Sequence, residues 1–79
     1  MKAYLVVTVA SGKAQVVARN ISNMPGVLMA DACWGVGDVF AVLQFPIWKE
    51  LNDVVLEKIH QTPGVTHTET HVAIEVANS

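Results

Sequence analysis

The stretch that decides the fold occurs twice: Ile21-Ser22-Asn23-Met24-Pro25-Gly26-Val27 recurs 38 residues later as Ile59-His60-Gln61-Thr62-Pro63-Gly64-Val65. Each copy follows a stretch with helical spacing of apolar residues and precedes a strand-like stretch. Proline cannot continue a helix, and glycine readily adopts the left-handed conformation that closes a helix at its C-terminal end. The two Pro-Gly pairs therefore mark two helix ends, and we expect a duplicated β-α-β unit.

The flanking segments predict two helices. Ser11 is a candidate N-cap for the first helix, and Pro46 suits the first turn of the second helix, which is expected to end before Pro63-Gly64. The first helix carries one apolar stripe at helical spacing, formed by Ala14, Val17, Ala18 and Ile21. The second presents a broader apolar arc, formed by Ile47, Trp48, Leu51, Val54, Val55 and Ile59.

Four short runs rich in β-branched residues predict strands over 4–9, 27–34, 39–45 and 65–76. With the helices, the order is β-α-β-β-α-β. Short connections and right-handed crossovers then leave an α+β ferredoxin-like fold, a four-stranded antiparallel sheet with both helices on one face. The opposite sheet face, predicted to be mostly apolar or threonine, is expected to be buried against a second subunit.

Composition supports one domain over 1–79 that associates with itself. A domain of this length buries only about 60–65% of the surface that its unfolded chain exposes. Yet 52% of the residues are hydrophobic and 15% are charged, against about 25% charged residues in typical domains. A homo-oligomer would cover the apolar surface that a monomer leaves in water.

Charge and cysteine content exclude several classes of function. The net charge of −2 gives no basic surface for duplex DNA or RNA. Cys33 is the only cysteine, so an internal disulfide and a cysteine-based zinc site are excluded. The N-terminus lacks signal-peptide features, and no apolar run approaches 18 residues. We therefore expect a cytoplasmic protein that does not bind membranes.

The turn Gly35-Val36-Gly37-Asp38 is the first candidate site. Its backbone N–H groups could bind a carboxylate, and Asp38 could accept hydrogen bonds from an ammonium group. An ordinary hairpin connection explains the same residues equally simply.

The last strand carries two alternating sets of polar residues. Thr66, Thr68 and Thr70 share one predicted face, where hydroxyl groups could line a pocket at a subunit boundary or merely reflect β-propensity. The other face carries His67, Glu69 and His71. These types can bind zinc, but three ligands on one flat strand converge poorly, so a solvated face is preferred and no metal is predicted.

Support for catalysis is thin. The sequence has no nucleophile-elbow motif, no dinucleotide glycine fingerprint and no paired carboxylates on one element. Cys33 is interpreted as a small core hydrophobe. Trp34 and Trp48 could form aromatic pocket walls, although packing in the core or an interface is preferred for both.

With these residues placed, the chain resembles the ligand-binding domain of the Lrp/AsnC regulators, called the RAM domain, from Ala3 to about Val76. The resemblance is carried by five segments in order: 3–9, 24–27, the turn 35–38, 51–59 and 63–70. It implies an amino-acid sensor, without a cofactor, that dimerises through its sheets and assembles into octamers or similar rings. Effectors bind between dimers in that family, which points to Gly35, Gly37, Asp38, Thr68 and Thr70.

Three departures from the family pattern limit which of the family's properties are expected of this chain. No helix-turn-helix precedes Lys2, so the resemblance implies a stand-alone domain with no direct nucleic-acid binding and with a full-length regulator as its candidate partner. Gly37 stands where an aromatic is common, and Phe45-Pro46 replaces a polar helix start, so the second helix should lack a side-chain cap. Two alternatives stay open: a small ferredoxin-like enzyme of monooxygenase or isomerase type using His67, His71 or Trp34, and an assembly domain without a ligand.

Overall fold

The computed structural model describes residues 1–35 and 38–74, and it confirms the predicted α+β architecture. The strands pair antiparallel in the order β2-β3-β1-β4, which is the ferredoxin-like topology. The elements are β1 (Lys2–Val9), α1 (Ala14–Ser22), β2 (Val27–Ala32), β3 (Val39–Gln44), α2 (Trp48–Asp53), a π-helical segment (Val54–Ile59) and β4 (Val65–Val72).

The core lies between the helices and one face of the sheet. In β1, Ala3, Leu5 and Val7 are buried and alternate with residues of the other face, as the two-residue period of a strand requires. The stripe predicted for α1 is confirmed, because three of its members are buried and Ala14 packs against them. The largest fully buried side chains are Leu5, Val7, Val17, Ile21, Val39, Leu43, Leu51 and Ile59.

The first Pro-Gly turn closes α1 through two backbone hydrogen bonds. The N–H of Met24 donates to the Ile21 carbonyl (3.0 Å), and the N–H of Val27 donates to the Met24 carbonyl (3.2 Å). Gly26 has φ +86°, the left-handed conformation predicted for a helix-closing glycine.

The second copy repeats these bonds at the same spacing. The N–H of Thr62 donates to the Ile59 carbonyl (3.1 Å), the N–H of Val65 donates to the Thr62 carbonyl (3.0 Å), and Gly64 has φ +98°. A β-bulge follows each turn, at Leu28 in β2 and at Thr66 in β4. The sequence repeat is therefore a structural repeat of helix end, turn and bulged strand.

Each turn is tied to the other half of the molecule. The Gly26 carbonyl accepts a hydrogen bond from the N–H of Gln44, the last residue of β3, across 2.8 Å. The Gly64 carbonyl accepts from the N–H of Ala10, directly after β1, across 2.8 Å. The two β-α-β units therefore complete each other's turns.

Helix starts differ from the prediction. Ser11 is not the N-cap of α1; Lys13 occupies that position and makes no side-chain capping bond. Pro46 precedes the N-cap of α2, Ile47, instead of lying in the first turn. The missing side-chain cap expected from Phe45-Pro46 is confirmed.

The second helix ends before Pro63-Gly64, as predicted, but it is α-helical only from Trp48 to Asp53. From Val54 to Ile59 it is a π-helix, in which the N–H of His60 donates to the carbonyl five residues back, at Val55 (3.0 Å). Its predicted apolar arc is only partly buried, because Ile47 and Trp48 are about half exposed at 51% and 53%. Within the described ranges, neither helix combines the length and apolarity needed to cross a membrane.

Candidate functional site

The glycine turn lies in the connection between β2 and β3. β2 ends at Ala32 instead of the predicted Trp34, and the N–H of Cys33 donates to the Asp38 carbonyl (2.7 Å) to close the connection. Gly35 is exposed with φ +105°, so the predicted positive φ is confirmed at this glycine. The predicted Gly37 lies outside the described residues.

Asp38 connects this turn to the end of the neighbouring strand. Its side chain is half-buried, and Oδ2 accepts a hydrogen bond from the backbone N–H of Val9 (3.2 Å). Val9 follows a shift of register between β1 and β4, where regular strand pairing is interrupted. Asp38 therefore has a structural contact that its sequence position did not indicate.

Thr68 and Thr70 lie on the helix-facing side of β4, opposite Val7 and Leu5 of β1. Both are half-buried. The expectation that Thr66 shares their environment is wrong, because the bulge places its hydroxyl against the Thr8 carbonyl, to which it donates (3.2 Å).

His60 is a site residue that sequence reasoning missed. Its Nε2 is hydrogen-bonded to the Thr68 hydroxyl. The sequence indicated only a histidine at a helix end, where a cation is favourable. The π-helical turn that positions this ring beside β4 is a tertiary feature with no signal in the residue pattern.

The predicted site residues form two groups, Gly35 with Asp38 and Thr68 with Thr70, which lie toward the same end of the sheet. Val39, Val7 and Thr68 form one row across β3, β1 and β4. Since neighbouring strands are about 4.8 Å apart, Val39 and Thr68 are separated by about 10 Å. Asp38 and Gly35 thus lie on one side of β1, and the threonines lie on the other.

A pocket of about 190 Å³ lies beside the glycine turn, between the start of α1 and the end of β2. It is lined by Ala14, Gln15, Ala32, Cys33 and Trp34. The interpretation of Cys33 as a core residue is wrong, since this side chain is half-buried and follows the strand. Trp34 is not in the core either, because it is fully exposed (103%).

We call the sheet face turned away from the helices the open sheet face. Its centre is apolar and is formed by Tyr4, Val6, Met29, Phe40 and Val42. Tyr4, Met29 and Phe40 are each nearly half exposed, at 47%, 48% and 45%. The expected threonine content is wrong along β4, because Thr68 and Thr70 face the helices and His67, Glu69 and His71 lie on this side instead.

Of these three polar residues, Glu69 and His71 form an exposed pair, and His67 is separate from it. Nε2 of His71 lies 3.0 Å from Oε1 of Glu69. Among the described residues, no group of three potential ligands is close enough to hold a metal ion. Neither His67 nor His71 lines the pocket, so the histidines of the enzyme alternative are separated from the cavity.

An ion pair lies on α2, away from these residues. The Lys49 ammonium group donates a hydrogen bond to Oδ2 of Asp53 (2.9 Å), and this bond raises the pKa of Lys49 above its ordinary value. The pair is an exposed contact within one helix, so it adds little to stability.

Comparisons with known proteins place the chain in a family. The family model described as the Lrp/AsnC ligand binding domain matches residues 2–78. No curated protein matches the chain. The hypothetical protein PHS023 from Pyrococcus horikoshii is 28% identical with a TM-score of 0.87, over 96% of this chain and 92% of that one. TTHA0845 from Thermus thermophilus is 27% identical with a TM-score of 0.88, over 95% and 94%.

A regulator with a bound amino acid shares the fold. The transcriptional regulator NMB0573 of Neisseria meningitidis, in complex with L-Met, has a TM-score of 0.82 and is 19% identical, over 99% of this chain and 52% of that one. The chain belongs to the Lrp/AsnC ligand-binding domain family, and it is a regulatory ligand-binding module.

Proposed function

We propose that this family member binds a free amino acid between dimers and passes that signal to a transcriptional regulator through its assembly state. The observation that carries the proposal is the position of Asp38 in a chain of this family. Asp38 directly precedes β3, its carboxylate reaches the end of β1, and Gly35 in the same connection has a positive φ. The regulator with bound L-Met adds support for the ligand class.

Asp38 supplies the chemistry for an ammonium group. An ionised carboxylate has about four acceptor positions, and the Val9 N–H uses one position on Oδ2. The remaining positions suit an ammonium group, whose three N–H donors form charge-assisted bonds. For the effector carboxylate, the proposed donors are the backbone N–H groups of Gly35 and Gly37, of which Gly37 lies outside the described residues.

The separation of the two groups favours a site built from more than one subunit. Strand β1 lies between β3, which Asp38 precedes, and β4, which carries Thr68 and Thr70, so the backbones of β3 and β4 are about 10 Å apart. The Asp38 carboxylate is turned toward the end of β1, where it accepts from the Val9 N–H, whereas the Thr68 hydroxyl is bonded to the His60 ring. The threonines therefore serve better as contacts from a neighbouring dimer, where their hydroxyl groups meet the effector carboxylate.

The open sheet face supports a dimer as the basic unit. Tyr4, Met29 and Phe40 present large apolar surfaces on the side of the sheet opposite the described helices. Burying apolar area is worth about 25 cal/mol per Å², so a second copy placed sheet to sheet gains a large hydrophobic contribution. Dimers then assemble into an octamer or similar ring through the edges that carry the effector residues.

Linkage provides the regulatory mechanism. An effector bound between dimers favours the assembly state for which it has the higher affinity. A full-length regulator of the same family is the proposed partner, because the solved regulator AsnC of E. coli shares this fold over 96% of the chain. The protein acts by binding and not by catalysis.

Calorimetry with a panel of the common amino acids tests the proposal, combined with light scattering with and without ligand. We expect at least one amino acid to bind the wild type below millimolar concentration and to change its mass. If no amino acid binds and the protein is still an oligomer, the assembly-domain function replaces the sensor function.

A further inference from the structure

We infer that the pocket between α1 and β2 holds the effector's side chain, and that the effector is an amino acid with an uncharged, apolar side chain. This inference rests on the proposed function and narrows its ligand class. It is carried by the lining, the size and the position of the pocket.

The lining carries no charged side chain. Ala14, Ala32 and Cys33 present small apolar groups, Trp34 presents an indole ring, and Gln15 adds one neutral amide. A charged side chain that leaves water needs an ion pair or several hydrogen bonds in return. This pocket offers neither, whereas an aliphatic or thioether side chain needs only contact.

The size fits one amino-acid side chain. The volume of about 190 Å³ is below the roughly 300–1,000 Å³ of pockets for drug-sized ligands. Two alanines create this space, one at the first position of α1 and one at the last position of β2. A larger residue at either position would fill it.

The pocket adjoins the backbone of Asp38, the residue proposed to bind the ammonium group. Cys33 lines the pocket, and its N–H is bonded to the Asp38 carbonyl (2.7 Å). Trp34 lies in the same connection with its side chain fully exposed at 103%. An exposed indole at the mouth of an apolar pocket can cover a bound side chain, because tryptophan supplies a large apolar area.

Fluorescence gives a direct readout. The chain has two tryptophans, so Trp48→Phe leaves Trp34 as the only indole. We expect L-Leu and L-Met to shift the emission of this variant to shorter wavelength, and L-Asp, L-Glu, L-Lys and L-Arg to leave it unchanged at the same concentration.

Pocket variants test the location by calorimetry. Ala32→Leu should weaken binding of L-Met or L-Leu by tenfold or more, while Ala73→Leu, the same change at an exposed position outside the pocket, should leave affinity within twofold. Trp34→Ala is the second variant, since its side chain is exposed and folding does not depend on it. It should weaken binding by at least fivefold with an unchanged circular dichroism spectrum.

The outcomes separate the inference from the proposed function. Comparable wild-type binding of charged amino acids, or full affinity in both pocket variants, overturns the inference and leaves the sensor function standing. Absence of any amino-acid binding to the wild type removes both. A Trp34 emission shift that follows protein concentration and not ligand would assign the pocket to a second copy of the chain, which also overturns the inference.

Discussion

The Asp38 carboxylate accepts a hydrogen bond from the backbone N–H of Val9 across 3.2 Å. The residue proposed to bind the effector's ammonium group therefore also satisfies a backbone donor at the end of β1. An unpaired, partly buried N–H destabilises the folded state, so substitutions at Asp38 act on stability and on affinity together.

Asp38→Asn and Asp38→Ala should separate these two effects. The asparagine oxygen can still accept from the Val9 N–H, so its free energy of unfolding should stay within about 0.5 kcal/mol, whereas alanine should lower it by about 1–2 kcal/mol. Both should weaken effector binding about tenfold, because both remove the charge. Urea unfolding and calorimetry measure the two quantities, and equal stability of the two variants would contradict the role assigned to the Val9 contact.

Gly26→Ala should be severely destabilising. A Cβ at this position would overlap the ring of Phe45, and the φ of +86° is itself unfavourable for alanine. Strain and overlap together should lower the free energy of unfolding by about 3 kcal/mol or more.

Gly12→Ala is the matched control for that substitution. Gly12 has a similar φ of +78°, but nothing lies within 4 Å of its added Cβ. The loss there should be only about 1–2 kcal/mol, the cost of the backbone conformation alone. Phe45→Leu in the Gly26→Ala background should recover part of the loss, and no recovery would show that the ring is not the obstacle.

Phe40→Glu should convert the oligomer to folded monomers. Phe40 is 45% exposed at the centre of the open sheet face, and it faces Val6 of β1. A carboxylate there would be desolvated in a sheet-to-sheet dimer without a partner. Light scattering should fall to about the 8.5 kDa of one chain, while circular dichroism stays unchanged. Trp48→Glu, at a 53% exposed position on α2, should retain the oligomer, and dissociation in this control would move the dimer contact to the helices.

Thr68→Val should weaken effector binding and lower the free energy of unfolding by no more than the value of one hydrogen bond. The hydroxyl is bonded to the exposed His60 ring, and such a bond contributes about 0.5–1.5 kcal/mol. Thr68→Ser keeps the hydroxyl and should bind normally, whereas valine should lose several-fold in affinity by calorimetry. Normal binding by Thr68→Val would remove this threonine from the proposed site.

The repeat made the architecture predictable because its signals are local. Proline and glycine restrict the backbone wherever they stand, so the helix ends near Met24 and Thr62 could be read without a partner. Helix starts were harder: Ser11 has the right chemistry for a cap, but the N–H of Lys13 bonds the Ala10 carbonyl and α1 begins beyond it. The π-helical segment likewise replaces a regular helix that propensity alone favours.

The site was less predictable because its contacts join distant parts of the chain. The Asp38 carboxylate pairs with Val9, 29 positions away, and a residue pattern does not encode that pairing. The pocket depends on the start of α1 meeting the end of β2. Sequence reasoning could locate Asp38 and Thr68 as candidates by resemblance, but not their partners Val9 and His60.

The reciprocal turn contacts bear on the ancestry of the chain. The carbonyls of Gly26 and Gly64 are each held by the other unit, through Gln44 and Ala10. A solitary half-length peptide would leave both the carbonyl and its donor to water, whereas two copies would satisfy each other. Gene duplication and fusion of a self-associating half-length ancestor is the history that this arrangement favours. Two complementary peptides cut between β2 and β3 should accordingly recognise each other and rebuild the native sheet.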